Sequence, residues 1–244
     1  MQKLALLAPL ILLSTGMMAA PAQATVLPGF VTRPIGRFFE KAAAKKQGRV
    51  FHEDGVAYHA TIRTSTGVHE GVVRVSRGGA NKVDKPDILG LAVKVHEAGG
   101  DQDFLLVTAL GNKGLANRVP AFRNTLAGQK MSSLTSYRLG ARKGAIITML
   151  PAAFHTAIDS APAIAKGDQS FRLTLQQSRL FRRTTSTTVA NDVTVHFDSP
   201  LSAEESATLK FTPFNDAAGI KPVGLINALR PAAYVGSQTG RGAR

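Results

Sequence analysis

Alternating hydrophobic and polar positions run through most of the chain from about residue 50 onward. A period of two predicts β-strands that bury one face, and eight segments show this alternation or a short apolar run. They are residues 56–64, 71–77, 91–96, 104–110, 144–150, 170–175, 193–197 and 207–211. The turn-rich stretch 97–103 predicts a hairpin between the third and the fourth of these strands. About eight strands separated by turn residues favour a barrel or closed sheet.

Helical patterns lie at the two ends of this β-rich region and once inside it. Residues 37–46 are basic and rich in alanine, with no helix breaker, and predict a short helix. Residues 151–165 and the end of the chain from about Val223 predict two more. Residues 26–36 contain proline and glycine and predict an extended segment, whereas residues 111–140 are polar, basic and irregular. The predicted fold is therefore α+β, an antiparallel β-barrel with a few flanking helices.

The first 24 residues have the layout of a secretory signal peptide. Lys3 precedes an apolar run over residues 4–13, and small residues follow up to Ala22-Gln23-Ala24, a small-x-small cleavage site. The apolar run has about 10 residues, whereas a membrane span needs roughly 20. We expect export to the periplasm or the exterior, cleavage after Ala24, one domain over residues 25–244, and no membrane-spanning segment in the mature chain.

Composition excludes several kinds of chemistry. The chain has no cysteine, so disulfides, thiol catalysis and covalent c-type haem attachment are excluded. Its formal net charge is +14, but the basic residues are spread along the chain. We therefore expect a solvated basic face and no nucleic-acid partner, and a cofactor-free protein that binds polyanions remains an alternative.

Three small groups of residues could carry chemistry. Arg74 and Ser76 are two positions apart on a predicted strand, so they share one face, which could also be an ordinary solvated face. His52 follows Phe51 directly before a turn, where a structural histidine is the alternative. His-x-x-x-His spacing for zinc is absent.

The third group lies near the end of the chain. Arg230 and Tyr234 are four residues apart, which places them on one helix face, and Arg241 lies seven further on. A neighbouring arginine and a ferric ion would each favour the ionised phenol of Tyr234. An arginine–tyrosine pair on a surface helix is the structural alternative.

Together and in this order, these groups resemble the haem catalase superfamily. Arg49-Val-Phe-His52-x-x-Gly55 is similar to the distal-histidine motif, and Arg74-Val-Ser76 to the strand that follows it. Asp87-Ile-Leu-Gly90-Leu-Ala92-Val-Lys94 is similar to the next block of the family. Arg230-x-x-x-Tyr234, followed by Arg241, resembles the proximal motif. The resemblance covers roughly residues 46–107 and 222–241, and the short chain resembles the minimal branch of catalase-related peroxidases and allene oxide synthase-like proteins.

The resemblance implies a catalase-like haem-binding domain with haem b as its cofactor. Tyr234 would be the axial iron ligand, and Arg230 would stabilise its phenolate. His52 would move a proton between the two peroxide oxygens, and Ser76 would orient its ring. The propionates would pair with three arginines, and two apolar residues would pack on the distal face of the porphyrin: Arg49, Arg74 and Arg241, and Val50 and Phe51.

One position departs from the family pattern. Catalases carry a distal asparagine after the strand that corresponds to residues 104–107, and here Thr108 lies in that region with Asn112 nearby. Thr108 is therefore the predicted distal hydrogen-bond donor. The predicted function is peroxidase-like or weak catalase activity on hydrogen peroxide or an organic hydroperoxide, with an unidentified electron donor. Alternatives are hydroperoxide isomerisation and non-enzymatic haem binding on a degenerate catalase fold; oligomers are compatible with either.

Overall fold

A computed structural model describes residues 29–46, 52, 54–64, 67–78, 85–111, 114–126, 129–139, 142–150, 170–177, 187–217 and 219–240. The predicted signal peptide and the predicted helix 151–165 lie outside these residues. Strands β1–β11 are Gly55–Thr64, Gly67–Arg77, Asp87–Glu97, Gly100–Thr108, Phe122–Arg123, Met131–Ser132, Tyr137–Leu139, Arg142–Leu150, Ser170–Gln177, Thr187–Pro200 and Ile220–Pro222. Helices α1–α3 are Gly29–Lys46, Ala203–Thr208 and Leu225–Gly240, and Gly114–Arg118 forms a 3-10 helix.

The described strands form a mostly antiparallel sheet in the order β11-β7-β8-β6-β4-β3-β2-β1-β10-β9, with β5 paired to β3. Strand β8 also pairs with β9 over residues 145–150. The sheet begins with two hairpins because β1, β2, β3 and β4 are consecutive in the chain and in the sheet. Gly100, with a φ of 125°, opens β4 inside the stretch 97–103 that was predicted as the hairpin turn, because β3 continues to Glu97 and the observed turn is shorter.

One face of the sheet carries the hydrophobic core. Side chains at alternate positions of β1 to β4 point to it and are almost fully buried: Tyr58, Ala60, Ile62, Val73, Val75, Leu91, Val93, Val95, Phe104 and Leu106. The predicted alternation therefore identifies the buried face correctly. The residues between them in sequence point to the other face, where Arg74 and Ser76 lie.

Helices α1 and α3 pack against each other through glycines. A Cβ atom on Gly236 would collide with the carbonyl oxygen of Gly36, and one on Gly240 with the carbonyl oxygen of Glu40. Such close approach of two backbones is available only to residues without a side chain. α1 starts at Gly29 and includes Pro34, so the extended conformation predicted for residues 26–36 is wrong over the described part, 29–36. Packing on α3 outweighs the local signals of glycine and proline.

The strand predicted over residues 207–211 is also wrong. Residues 203–208 form α2, which starts with a capping box between Ser202 and Glu205. The Ser202 hydroxyl accepts from the Glu205 N–H at 3.2 Å, and the Glu205 carboxylate accepts from the Ser202 N–H at 2.8 Å. Reciprocal capping satisfies two backbone donors and starts a helix despite its short length.

Short elements in the irregular region 111–140 were not predicted. They are β5, β6, β7 and the 3-10 helix, and β11 after residue 211 was missed as well. Strands of two or three residues leave no measurable period in a sequence. Among the described residues, no helix is both long enough and apolar enough to cross a membrane.

Candidate functional site

A single row of paired residues crosses the sheet and organises the candidate site. Gly55 pairs with Ser76, Ser76 with Gly90, Gly90 with Val107, and Val107 with Ser132. Residues directly opposite one another in antiparallel strands point to the same face. The row therefore lies on the face opposite to the core, and Arg74, two residues before Ser76, shares that face.

His52 lies over this row just before β1. Its Nδ1 is 3.0 Å from the Ser76 hydroxyl oxygen, and its carbonyl oxygen accepts a hydrogen bond from Arg74 Nη2 at 2.8 Å. Its φ is 54°, in the left-handed region that non-glycine residues rarely adopt. Backbone strain of this kind concentrates at functional sites because surrounding contacts must hold it.

Two glycines make room for the imidazole of His52. A Cβ atom on Gly90 would lie 2.5 Å from His52 Cε1 and Nδ1 and 2.8 Å from Ser76 Oγ. One on Gly78 would lie 3.1 Å from His52 Cε1. The ring thus rests on the backbone of β3 and on the end of β2, so any larger residue at position 90 would displace it.

The surroundings of His52 keep its ring neutral. Burial, and then the positive charge of Arg74, lower the pKa of His52 to about 4. Both effects disfavour the imidazolium form. At neutral pH His52 can therefore accept a proton. The structure records no hydrogen bond between Nε2 and any described residue.

Arg230 and Tyr234 form the second half of the candidate site, on α3. Arg230 Nη2 donates to the Tyr234 hydroxyl oxygen at 2.9 Å, and the guanidinium carbon lies 5.4 Å from the centre of the tyrosine ring. The predicted pairing on one helix face is present. Arg230 Nη1 also donates to Thr135 Oγ1 at 3.1 Å and to Asn227 Oδ1 at 3.2 Å.

Asn227 anchors this arginine to the sheet. Its side chain is buried, and Nδ2 donates to the carbonyl oxygens of Ser136 at 2.8 Å and Val223 at 3.0 Å. Its oxygen is thereby turned towards Arg230. Asn227 and Thr135 were not predicted as site residues. The three-residue spacing of Asn227 and Arg230 on a helix could have indicated the first, but the link to Thr135 is purely tertiary.

The charges around Arg230 hold it as a guanidinium. Burial opposes its charge, but the neighbouring hydroxyls of Tyr234 and Tyr137 raise its pKa above the ordinary value. Burial also raises the pKa of Tyr137, which is almost fully buried between these groups. The positive charge that would stabilise a phenolate at Tyr234 is therefore permanent.

Thr108 does not join His52. Its neighbour Val107 belongs to the row of Ser76 and Gly90, so Thr108 points to the core face instead. Its hydroxyl donates to the carbonyl oxygen of Ala121 at 2.6 Å and accepts from the Leu89 N–H at 3.1 Å. The structure gives Thr108 a structural place, buried with no exposed surface.

Asn117 is the polar residue that the sequence reasoning missed in this region. It lies in the 3-10 helix after β4 and is fully buried, and neither of its amide atoms has a hydrogen-bond partner within the part of the chain that the structure describes. Buried amides without partners are rare, because each costs desolvation energy. β4 ends at Thr108 and Asn117 lies further on, inside the 3-10 helix, so the expectation of a polar residue directly after the strand led to Thr108 and Asn112 instead.

Four predicted cofactor-binding residues lie outside the described residues: Arg49, Val50, Phe51 and Arg241. Apart from Thr108, the structure places the other predicted catalytic and cofactor-binding residues in two groups, His52 with Ser76 and Arg74, and Arg230 with Tyr234. A short segment of chain links the two groups. Ser132 ends the row that begins beside His52, and Thr135, three residues later, accepts a hydrogen bond from Arg230.

Comparisons with known proteins agree with this arrangement at the level of the fold. A fungal catalase superposes with a TM-score of 0.55 and 12% sequence identity, over 77% of this chain and 57% of the catalase. A bacterial catalase superposes with a TM-score of 0.57 and 12% identity, over 93% of this chain and 62% of the catalase. No protein-family model and no curated protein matches the sequence. The chain thus spans about three fifths of the length of these catalases, and it has a catalase-like fold.

Proposed function

We propose that this protein binds haem b and reduces hydrogen peroxide or an organic hydroperoxide, as a peroxidase with at most weak catalase activity. The main support is the pair of Arg230 and Tyr234, in which a permanently charged arginine donates to the phenol oxygen at 2.9 Å. Tyrosinate is the axial ligand that catalases use. His52, neutral and hydrogen-bonded to Ser76, would supply the acid and base that a peroxide reaction needs on the haem face away from Tyr234.

The described side chains fit such a cofactor chemically. Tyr234 would ligate the iron, and Arg74, which already donates to the backbone of His52, would pair with a propionate. Arg49 and Arg241 would hold the propionates too, and Val50 and Phe51 would pack on the ring; these roles come from the family resemblance. The bound haem would supply the iron at which the peroxide O–O bond is cleaved.

His52 would act as acid and base. With Nδ1 engaged by the Ser76 hydroxyl, Nε2 would take the proton from one peroxide oxygen and return it to the other. Since the pKa of His52 is about 4, the ring starts neutral at physiological pH and can accept that proton. Ser76 orients the ring and fixes its tautomer.

Asn117 would replace Thr108 as the distal hydrogen-bond donor. Its buried amide has no partner among the described residues, so it could donate to a peroxide oxygen. The electrons that complete the reduction to water would come from an external reductant or, in weak catalase turnover, from a second peroxide.

Several features of the whole protein belong to the proposal. The pairing of β8 with both β6 and β9 supports closure of the predicted barrel. The first 24 residues support export and a periplasmic or secreted location. A single domain over residues 25–244 would hold the haem, with no nucleic acid as partner.

Haem titration of the purified protein tests the binding proposal. The wild-type protein should take up haem and give a high-spin ferric spectrum with a Soret band. Tyr234→Phe should abolish this spectrum, whereas Tyr58→Phe, which alters a tyrosine stacked on Phe197 in the core, should retain it. A wild-type protein that takes up no haem contradicts the proposal.

Peroxide consumption by the haem-loaded protein separates enzyme from carrier. His52→Asn should slow consumption on the order of 10²-fold and leave haem in place. His59→Asn changes an exposed histidine of β1 that contacts Glu205, and should have no effect. Haem uptake without any peroxide consumption by the wild type would favour the alternative, a non-enzymatic haem-binding protein.

A further inference from the structure

The solvent-facing side of α1 carries four cations that the proposed haem site does not use. Arg33, Arg37, Lys41 and Lys45 are all exposed and follow one another every four residues. On a helix with 3.6 residues per turn, this spacing sets them along one slowly turning ridge, about 18 Å from end to end. We call these four residues the basic ridge.

The basic ridge turns away from the side of α1 that packs on α3, starting at Arg33 beside the groove between the two helices. Gly36 and Ala43 mark the packed side, where they meet Ala232 and Gly240. With 100° per residue, the mean direction of Arg37 and Lys41 lies about 130° around the helix from that of Gly36 and Ala43. All four cations are exposed to solvent, and the one acid on this helix, Glu40, lies at the edge towards α3.

Like charges four residues apart oppose helix formation. The basic ridge contains three such pairs in succession, and Glu40 is the one acidic residue in the sequence of α1. A local feature that costs stability without serving the fold indicates a surface kept for another purpose. An anionic partner would turn the repulsion into attraction.

Two large apolar side chains accompany the basic ridge. Phe38 on α1 is 48% exposed and lies next to Lys41 and Lys45 on the same side of the helix, and Val235 on α3 is 61% exposed. Val235 borders a groove of about 350 Å³ between the helices, which Arg33 and Arg37 also line. Cations together with exposed apolar groups are the pattern of a helix that lies on an anionic bilayer, since a soluble polyanion would engage the charges alone.

We propose that the basic ridge, with Phe38 and Val235, docks the protein on the surface of an anionic phospholipid membrane. The four cations would lie against the headgroup phosphates, and Phe38 and Val235 would enter the boundary of the acyl chains. α1 would then lie parallel to the bilayer surface. Peripheral docking of this kind is independent of haem binding.

Co-sedimentation of the full mature chain with vesicles tests the docking surface. The wild type should bind vesicles of phosphatidylglycerol and phosphatidylcholine and not vesicles of phosphatidylcholine alone. The variant R33Q/R37Q/K41Q/K45Q should bind the anionic vesicles about 600-fold more weakly, since each of the four surface cations contributes about a fivefold factor. Circular dichroism should show it folded, because the substitution relieves repulsion.

A control of equal charge separates the basic ridge from net charge. R63Q/K85Q/K130Q/K221Q removes four exposed cations outside α1 and should retain most of the binding. Equal losses in the two variants would overturn the proposal, as would a wild type that does not bind anionic vesicles.

The apolar residues distinguish a membrane from a soluble polyanion. Phe38→Ser should weaken vesicle binding by about tenfold, whereas Phe122→Ser, at another exposed phenylalanine, should not. Binding of duplex DNA that equals vesicle binding in strength, with no effect of Phe38→Ser on the vesicles, would assign the basic ridge to a polyanion and overturn the membrane proposal.

Discussion

At the scale of single residues, the candidate site depends on positions where a side chain is absent as much as on those where one is present. His52 is held by Ser76 and Arg74, but it can occupy its place only because Gly90 has no side chain. Its left-handed backbone and its burial both cost free energy, which neighbouring contacts must offset.

The protonation of His52 should couple to folding. Because its pKa is lowered to about 4 in the folded chain, against about 6.5 when unfolded, the unfolded chain binds more protons between these values. Stability is then lost as the pH falls from 6.5 towards 4. Between pH 7 and pH 5 the loss due to His52 should be about 2 kcal/mol. Urea unfolding at the two pH values measures it.

His52→Asn is the reference for that measurement, because asparagine tolerates the left-handed conformation and does not titrate. The contribution of Asp103 to stability changes with pH in the opposite direction. Burial raises its pKa to about 6, so the folded protein loses this contribution as the pH rises through that range. The difference between wild type and variant removes this contribution. If both lose equal stability between pH 7 and pH 5, the burial of His52 is not as described.

Gly90→Ala should displace the imidazole. The added methyl group would lie 2.5 Å from two ring atoms of His52, so the ring must leave Ser76. Peroxide consumption by haem-loaded protein should fall on the order of 10²-fold with haem uptake retained. Gly99→Ala adds the same group in open space and should have no effect; full activity in Gly90→Ala would show that this position of His52 is not the active one.

At the scale of elements, the packing of α1 on α3 determines where Tyr234 is held. Gly236 and Gly240 allow the two backbones to touch, and on its other side α3 is tied to the sheet by Asn227 and Arg230 through Ser136 and Thr135. α3 is thus fixed on two sides.

Gly236→Ala should destabilise the protein although alanine favours helices. The new Cβ would collide with the carbonyl oxygen of Gly36, and the resulting shift should cost roughly 1–3 kcal/mol. Gly36→Ala gains the same helix propensity of about 1 kcal/mol, but its Cβ would lie 3.3 Å from the carbonyl oxygen of Ala232, so the milder contact should make its cost smaller. Urea unfolding of both variants tests this order, and a Gly236→Ala protein as stable as wild type would contradict it.

At the scale of the whole molecule, one sheet connects the two halves of the proposed haem site. The row from Gly55 to Ser132 leads from the histidine side to the loop that holds Arg230. A ligand that contacts both halves would link β1–β4 to α3 and stabilise the folded chain as a unit.

Haem should therefore raise the melting temperature. Saturation at about 100 times Kd contributes about 2.7 kcal/mol, which for a chain of this size corresponds to a rise of roughly 5–10 °C. The shift should be lost in Tyr234→Phe and retained in Tyr58→Phe. Differential scanning calorimetry with and without haem measures it; equal melting temperatures for the wild type would show that haem does not bind the folded protein.

The sequence alone determined the features that rest on local periodicity and spacing. The alternation of β1 to β4 identified the core face, and the four-residue spacing placed Arg230 and Tyr234 together. Both features could be predicted because side-chain directions repeat every two residues in a strand and about every 3.6 residues in a helix. The order of motifs also indicated the catalase-like fold, which the comparisons confirm.

Only the tertiary structure decided the partners of these residues. It turned Thr108 to the core, placed Asn117 as a buried amide, and brought Thr135 and Asn227 to Arg230. Each depends on contacts between segments far apart in sequence or on short elements that have no periodic signal. The pairing register of β3 and β4 and the approach of α1 to α3 are fixed by packing, because a residue's face and neighbours are properties of the assembled sheet and helices rather than of the local chain.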